Sequence, residues 1–286
     1  MRWSLALLMT FLSPVSVLAG GIEPIGKVGQ VDWINGVVSI KAGGVRRAGS
    51  IVVGSERYRA LYEVLLDLRV SDGMKVRDLV QVDPKLRSKI LKIVRSAKMR
   101  GIRYLSDSTI ELSLEVRIWG KEGVAEALLS SDLKSKMPPL ESPEMDRLRA
   151  LERRIEAIEE FLKSLGYGGA LQEEPVPEYT GLVLDLRGTG FKPSIFPRII
   201  CEGEELYSLE MVDREILVEN GMVMYTDSLD LEKIKDRVGE NPLIIDVRRL
   251  SPDKTDPIIG SNLKLFKIQS LQNALKRCGV VMVVDR

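Results

Sequence analysis

The stretch TIELSLEVRIW, residues 109–119, gives the clearest indication of how this chain folds. From Ile110 to Ile118 every second residue is apolar, and the residues between them are charged or polar. Successive side chains of a strand point to opposite faces, so this alternation predicts a strand with one buried face and one solvated face. Such strands are typical of antiparallel sheets.

Turn and cap signals upstream divide the N-terminal half into further elements. Asn35-Gly36 predicts a β-hairpin with a type I′ turn, which needs positive φ at both central residues. Asp83-Pro84 predicts a helix start, with Asp83 as the N-cap and Pro84 at the first helical position. Helices on one face of an antiparallel sheet make an α+β layer. The predicted elements are strands over 28–34, 37–41 and 98–105 and helices over about 46–68 and 84–97.

Three segments of this half carry a resemblance to a known family: VDWINGVVSI (31–40), ALYEVLLDLRV (60–70) and residues 74–116, from MKVRDLV to ELSLEV. Over roughly residues 30–120 the chain resembles a family of bacterial cell-envelope proteins. That family includes the flagellar outer-membrane lipoprotein FlgP and the N-terminal domain of the flagellar protein FlgT. The resemblance implies a periplasmic or outer-membrane component, often of flagellar basal structures, and envelope or flagellar proteins as partners.

The first 19 residues have the features of a secretory signal peptide. Arg2 supplies the positive start, an apolar run follows, and Val17-Leu18-Ala19 ends it with small side chains around a cleavage site. Gly20 and Gly21 stand where a lipoprotein would carry its acylated cysteine. We therefore expect an exported protein with no integral membrane segment after signal removal, either periplasmic or secreted, or associated with the outer membrane.

The composition argues against several classes of function. The 42 basic and 41 acidic residues nearly cancel, whereas a nucleic-acid-binding protein would carry a strongly basic face. Histidine is absent, which removes the commonest general base and the commonest metal ligand. We therefore predict no catalytic residues, no metal site, no cofactor and no nucleic-acid partner.

The middle of the chain, MDRLRALERRIEAIEEFLKSL at residues 145–165, has a heptad pattern. Prolines precede it and glycines and prolines follow it, so the helix is isolated from both flanks. An apolar stripe this narrow favours association with a second copy, although packing on its own chain is the alternative. The predicted oligomerisation residues are Leu148, Leu151, Ile155, Ile158, Leu162 and Leu165.

This helix separates two predicted α+β domains. We expect the first at residues 20–137, a linker containing the helix at 138–178, and the second at 179–286. In the second, residues 179–186 have little alternation, which indicates a strand buried on both faces. The segments GLVLDLRGTGFKPSIFPRI (181–199) and NPLIIDVRRL (241–250) are similar to the C-terminal domain of uncharacterised exported bacterial proteins.

Two features of the second half are candidates for a functional or structural role. Cys201 and Cys278 are the only cysteines, and in an exported chain they form either a disulfide or two separate buried thiols. The loop 187–197 after the strand could contact a ligand, or it could be a plain turn. Its candidate ligand residues are Arg187, Gly188, Thr189, Gly190 and Lys192.

From these observations we expect an exported, non-catalytic cell-envelope protein that acts by self-assembly or scaffolding, and the resemblance implies the flagellum as one setting. The alternative function is a periplasmic ligand-binding module that uses the loop 187–197. The number and identity of partners are not encoded in any motif.

Overall fold

A computed structural model of the chain describes residues 21–47, 50–71, 73–105, 109–130, 177–201, 204–260 and 263–285, together with residues 154, 157, 158 and 161. The mixed α+β class that the sequence predicts is confirmed. Among these residues, no helix combines the length and the apolar character needed to cross a membrane.

The N-terminal half is built on one antiparallel sheet. Its strand order is β1-β2-β3-β8-β7, with β4 paired to β3 and a separate β5-β6 ribbon. The strands are β1 (Ile22–Ile25), β2 (Gly29–Asp32), β3 (Val37–Arg47), β4 (Ser50–Val53), β5 (Arg69–Ser71), β6 (Met74–Lys75), β7 (Lys98–Tyr104) and β8 (Thr109–Arg117). The helices are α1 (Ser55–Leu66), α2 (Val76–Val82), α3 (Pro84–Arg95) and α4 (Val124–Leu129).

Strand β8 has the two faces that its sequence predicts. Ile110, Leu112, Leu114 and Val116 are buried, and β8 lies between β3 and β7 in antiparallel register. The predicted cap at Asp83 is also confirmed, because its carboxylate accepts hydrogen bonds from the backbone amides of Lys85 and Leu86.

Two local predictions in this half are wrong. The segment expected to open a long helix at Arg46 forms the end of β3 and all of β4, and α1 begins only at Ser55. The β-branched run Ile51–Val53 favours a strand. The turn after β2 is also not type I′: only Gly36 has positive φ, and the four-residue turn 33–36 is held by the Asp32 carboxylate, which accepts from the Asn35 amide.

The C-terminal half contains two four-stranded sheets. One is parallel, in the order β12-β16-β9-β13, and the other is mixed, in the order β11-β10-β15-β14. The strands are β9 (Gly181–Asp185), β10 (Ile199–Cys201), β11 (Glu204–Tyr207), β12 (Met224–Thr226), β13 (Pro242–Asp246), β14 (Arg249–Leu250), β15 (Pro257–Ile259) and β16 (Val280–Val283). The helices are α5 (Arg214–Asn220), α6 (Leu231–Val238), α7 (Leu263–Phe266) and α8 (Gln269–Lys276).

Strand β9 is a central strand of the parallel sheet, between β16 and β13. Its residues from Gly181 to Leu184 are buried, which confirms the prediction of a strand covered on both faces. The carboxyl end of β9 leads directly into the loop 187–197, so this loop starts at an edge of the sheet where ligands often bind in α/β proteins.

The two halves pack against each other along one continuous hydrophobic core. The backbone amides of residues 195 and 196 donate hydrogen bonds to the carbonyls of Arg69 and Val70, at 3.0 and 2.7 Å. The chain at 195–196 therefore runs alongside β5. The Trp33 and Tyr225 rings, one from each half, meet edge to face at 6.0 Å between centroids. The contact between the two halves is therefore stabilised by backbone hydrogen bonds as well as by packing. The predicted boundary at residues 137–138 and most of the predicted linker 138–178 lie outside the described residues.

Candidate functional site

A cleft of about 530 Å³ lies where the two halves meet. We call it the inter-half cleft. One wall comes from the end of β1 and from the segment that includes β5 and β6; the other comes from the loop 187–197 and the turn before β15. It is lined by Glu23, Pro24, Ile25, Gly26, Asp67, Arg69, Ser71, Gly73, Met74, Lys75, Lys192, Asp253 and Thr255.

Arg69 organises the N-terminal wall. Its guanidinium makes a bidentate ion pair with the Glu23 carboxylate, and its Nε donates to the Pro193 carbonyl at 2.8 Å. The same guanidinium lies over the Trp33 ring at 5.6 Å, and Trp33 Nε1 donates to Glu23 at 3.1 Å. A bidentate pair fixes the relative orientation and the distance of the two side chains. Arg69 and Glu23 are therefore paired with each other and form part of the wall.

A buried ion pair organises the C-terminal wall. Arg198 is 5% exposed and Asp256 fully buried, and Nε of Arg198 lies 2.9 Å from the Asp256 carboxylate, which also accepts from the Arg198 backbone amide. Ser251 closes the turn that precedes β15, because its hydroxyl accepts from the Asp256 amide and its backbone amide donates to the Asp256 carbonyl. Asp253 and Thr255 therefore stand on a turn that is held at both ends.

Two buried hydroxyls in the cleft have no partner. Ser71, on the N-terminal wall, and Thr255, on the C-terminal wall, are each 1% exposed, and neither side-chain oxygen makes a hydrogen bond within the described residues. An unpaired buried polar group costs on the order of 1 to 3 kcal/mol, so most such groups in folded proteins are satisfied by protein, water or ligand. Because both residues line the cleft, a small ligand there would be the nearest candidate to satisfy their hydroxyls.

Two charges at the cleft are also uncommitted. Lys192 and Asp253 are exposed, and neither has an ion-pair partner among the residues that the structure describes. The other charged groups differ: Asp67 pairs with Arg77 at 3.4 Å and with Lys75 at 4.0 Å. Across the described ranges, no group of three or more acidic or cysteine side chains is arranged to hold a metal ion.

Only one residue of the predicted ligand loop reaches the cleft. Lys192 lines it, whereas Arg187, Gly188, Thr189 and Gly190 form a turn outside it. The Thr189 hydroxyl donates to the Leu186 carbonyl at 2.5 Å, and the Gly188 amide donates to the Asp285 carboxylate at 2.9 Å. These bonds are those of a structural turn.

Arg187 is tied to the strand it follows. Its Nε and Nη2 donate to the two carboxylate oxygens of Asp185 at 2.8 and 2.5 Å. The Arg187 hydrogen bond holds the pKa of the Asp185 carboxyl below its usual value. Arg187 is thus not available to bind an anion.

The predicted oligomerisation seam is mostly outside the described residues. Leu148, Leu151, Ile155, Leu162 and Leu165 all lie there. Ile158 is helical and 57% exposed, and Phe161, one turn further on, is helical and 61% exposed. The association of this helix with a second copy stays a prediction.

Cys201 and Cys278 are separate, buried thiols, so the structure has the second of the two alternatives and not the disulfide. The Cys201 thiol donates to the Gly260 carbonyl at 3.2 Å. Burial raises the pKa of the Cys278 thiol. Both groups therefore contribute to packing as small apolar side chains.

Of the two unpartnered hydroxyls and the two exposed charges described above, only Lys192 is among the sequence-based candidates; Ser71, Asp253 and Thr255 are not. Ser71 ends a short strand, Asp253 and Thr255 stand in the polar segment 251–256, and no spacing rule relates positions 71 and 255. The only sequence signal near them is turn chemistry, Ser71-Asp-Gly73 and Ser251-Pro-Asp253, which indicates loops but not a shared site.

Residues 181–286 match the family model described as the second domain of Treponema pallidum Tp0624. The match starts at the first residue of β9 and so covers the parallel sheet, the mixed sheet and the C-terminal wall of the cleft. The C-terminal half is therefore similar to a bacterial domain, as its sequence predicts. The match does not extend to residues 30–120, where the resemblance to the FlgP and FlgT family stays a prediction. No curated protein matches the chain.

Proposed function

We propose that this chain is an exported, non-catalytic protein of the bacterial cell envelope that binds a small polar molecule in the inter-half cleft. The observation that carries the proposal is the pair of unpartnered hydroxyls of Ser71 and Thr255, one from each wall. The cleft volume of about 530 Å³ falls in the range that small-molecule sites occupy. The signal-like residues 1–19 support export, and the match to a bacterial domain is compatible with it.

The two walls have the rigidity that a binding site requires. The Arg69–Glu23 pair and the Arg198–Asp256 pair fix the backbone on either side, so a ligand would meet preformed groups and would not have to order them. The site differs from the ligand-binding module expected from the sequence, because it uses Lys192 of the loop 187–197 together with residues of the N-terminal half.

Removing the two hydroxyls tests this function. In the mature chain, Ser71→Ala/Thr255→Val deletes groups that have no partner, so the free energy of unfolding should stay the same or rise. If the hydroxyls serve a ligand, the variant should bind more weakly. Binding is measured as the rise in thermal midpoint on adding amino acids, sugars, nucleotides or inorganic phosphate, one at a time.

Thr189→Val is the matched control, because it deletes a hydroxyl that is bonded to Leu186 and lies outside the cleft. It should lower stability and leave binding unchanged. The proposal is overturned if none of these compounds raises the midpoint of the wild-type chain, or if the double variant responds to them as the wild type does.

A second candidate function is self-assembly through the helix that the sequence predicts at 145–165, with scaffolding among envelope or flagellar proteins. It is favoured by the exposure of Ile158 and Phe161 on one helical side. Apolar side chains this exposed suit a partner surface. The resemblance of residues 30–120 to the FlgP and FlgT family supports an envelope or flagellar setting.

Light scattering on the mature chain tests assembly. The wild type should be a multimer, and Leu151→Glu/Ile158→Glu, which places charges on the seam, should be a monomer. Arg154→Glu/Ala157→Glu alters two exposed positions of the same helix off the seam, and this control should remain a multimer. A wild-type monomer would exclude assembly by this helix.

A further inference from the structure

We propose that the ligand of the inter-half cleft is a small zwitterion, an amino acid or short peptide, with its carboxylate on Lys192 and its ammonium on Asp253. This inference rests on the proposed binding function and adds the chemical class of the ligand. The unpartnered hydroxyls of Ser71 and Thr255 would bond the polar atoms between the two charges.

The first argument is the balance of charge in the cleft. Its lining contains three cationic and three anionic side chains. Arg69 and Glu23 are paired, and Asp67 faces Arg77 and Lys75. What remains uncommitted is one ammonium, Lys192, and one carboxylate, Asp253. A ligand that carries one charge of each sign can pair with both groups. A ligand with a single charge can pair with one of them, and the other group then repels it.

The second argument is the placement of these two groups. The backbone amide of Lys192 donates to the carbonyl of Lys254 at 2.8 Å, so the main chain at Lys192 lies beside the turn that carries Asp253. The Asp253 carboxylate reaches the opposite wall: a Cβ on Gly73 would lie 2.7 Å from its Oδ2. The Asp253 carboxylate therefore lies close to the N-terminal wall.

The third argument excludes other small ligands. Inorganic phosphate or a nucleotide would meet the carboxylates of Asp253, Glu23 and Asp67, and Lys192 is the one cation of the described lining that has no ion-pair partner to give up. A neutral sugar would desolvate Lys192 and Asp253 without pairing either. A free amino acid or dipeptide fits within about 530 Å³ and pairs both.

The test uses ligands that each lack one charge. Isothermal calorimetry on the mature chain should show binding of L-alanine or L-alanyl-L-alanine. N-acetyl-L-alanine lacks the ammonium and L-alanine amide lacks the carboxylate, so both should bind at least about tenfold more weakly. This comparison needs no variant, so it does not depend on how a substitution affects folding.

Variants then assign the charges to residues. Lys192→Gln and Asp253→Asn should each weaken binding of the zwitterion by about tenfold or more. Lys254→Gln is the matched control. Lys254 follows Asp253 in the same turn and its carbonyl accepts from the Lys192 amide, but it does not line the cleft. It should bind like the wild type. All three positions are exposed, and circular dichroism verifies that the variants fold.

The outcomes separate this inference from the proposed function. Binding of a sugar or of phosphate but of no zwitterion would overturn the ligand class and leave a binding cleft. Binding of the zwitterion that is unchanged in Lys192→Gln and Asp253→Asn would overturn the assigned contacts. Binding of none of these compounds would overturn the proposed function itself.

Discussion

The Nε of Arg69 donates to the carbonyl oxygen of Pro193 over 2.8 Å, across 124 positions in the sequence. The same side chain holds Glu23 by a bidentate ion pair, so one guanidinium joins β1, β5 and the loop 187–197. Two halves with different sheets are thereby fixed around the cleft. The position of Lys192, the residue before Pro193, depends on this bond.

Arg69→Ala should destabilise the protein because it removes both bonds and leaves the partly buried Glu23 carboxylate unpaired. We expect the free energy of unfolding to fall by roughly 2 to 3 kcal/mol. Urea denaturation of the chain from residue 20 onwards measures it. Arg77→Ala is the control, because Arg77 also pairs with carboxylates, those of Asp67 and Glu63. These two carboxylates stay hydrated at the surface, so the free energy of unfolding should be nearly unchanged. Equal losses in both variants would contradict the role given to Arg69.

Gly221→Ala should also loosen the junction between the halves. Gly221 has φ 77°, and a Cβ there would lie 2.8 Å from the Trp119 ring of the N-terminal half. We expect a loss of about 2 kcal/mol or more, from backbone strain and from displacement of the ring.

Gly188→Ala separates these two causes. Gly188 has nearly the same φ, 75°, but a Cβ there would meet nothing within 4 Å. Its loss should be about 1 kcal/mol, the strain alone. Thermal or urea unfolding compares the two variants. If Gly188→Ala lowers the free energy of unfolding as much as Gly221→Ala does, the Trp119 ring moves aside at little energetic cost.

The Asp185–Arg187 pair predicts a pH dependence of stability. Arg187 lowers the pKa of Asp185 in the folded state below its ordinary value of 3.8. A carboxyl whose folded pKa is depressed stabilises the fold above its unfolded pKa, and that stabilisation is lost as the pH falls through the folded pKa. Arg187→Gln should therefore lower the free energy of unfolding at pH 7.

This difference between wild type and Arg187→Gln should shrink as the pH falls below about 5 and vanish once Asp185 is protonated in both states. Urea denaturation at a series of pH values measures it. A difference that persists at the acid end would mean that Arg187 stabilises the turn through packing and not through the carboxylate.

The two cysteines should behave as free thiols. Without reductant, the unfolded chain should react with two equivalents of a thiol reagent, because Cys201 and Cys278 are not bridged. In the folded chain both should react slowly, since each is buried and burial raises the pKa of the Cys278 thiol. An unfolded chain with no reactive thiol would show that they form a disulfide.

The local elements were predictable where the sequence signal and the backbone preference agree. The alternation of β8, the Asp83 cap and the buried strand β9 each depend on neighbours a few residues away. The helix predicted from Arg46 was wrong because the β-branched residues 51–53 pair with β3. Local sequence rules do not show whether such a partner strand is available, so the helical spacing of apolar residues was misleading.

The sequence alone determined the α+β class, the strand faces and the helix start at Asp83. All of these follow from periodicity or from residues close along the chain. Only the tertiary structure decided the site. Ser71, Lys192 and Thr255 meet because hydrogen bonds and packing across the two halves bring positions about 60 to 180 residues apart to one cleft, and contacts at that range leave no periodic trace in a single sequence.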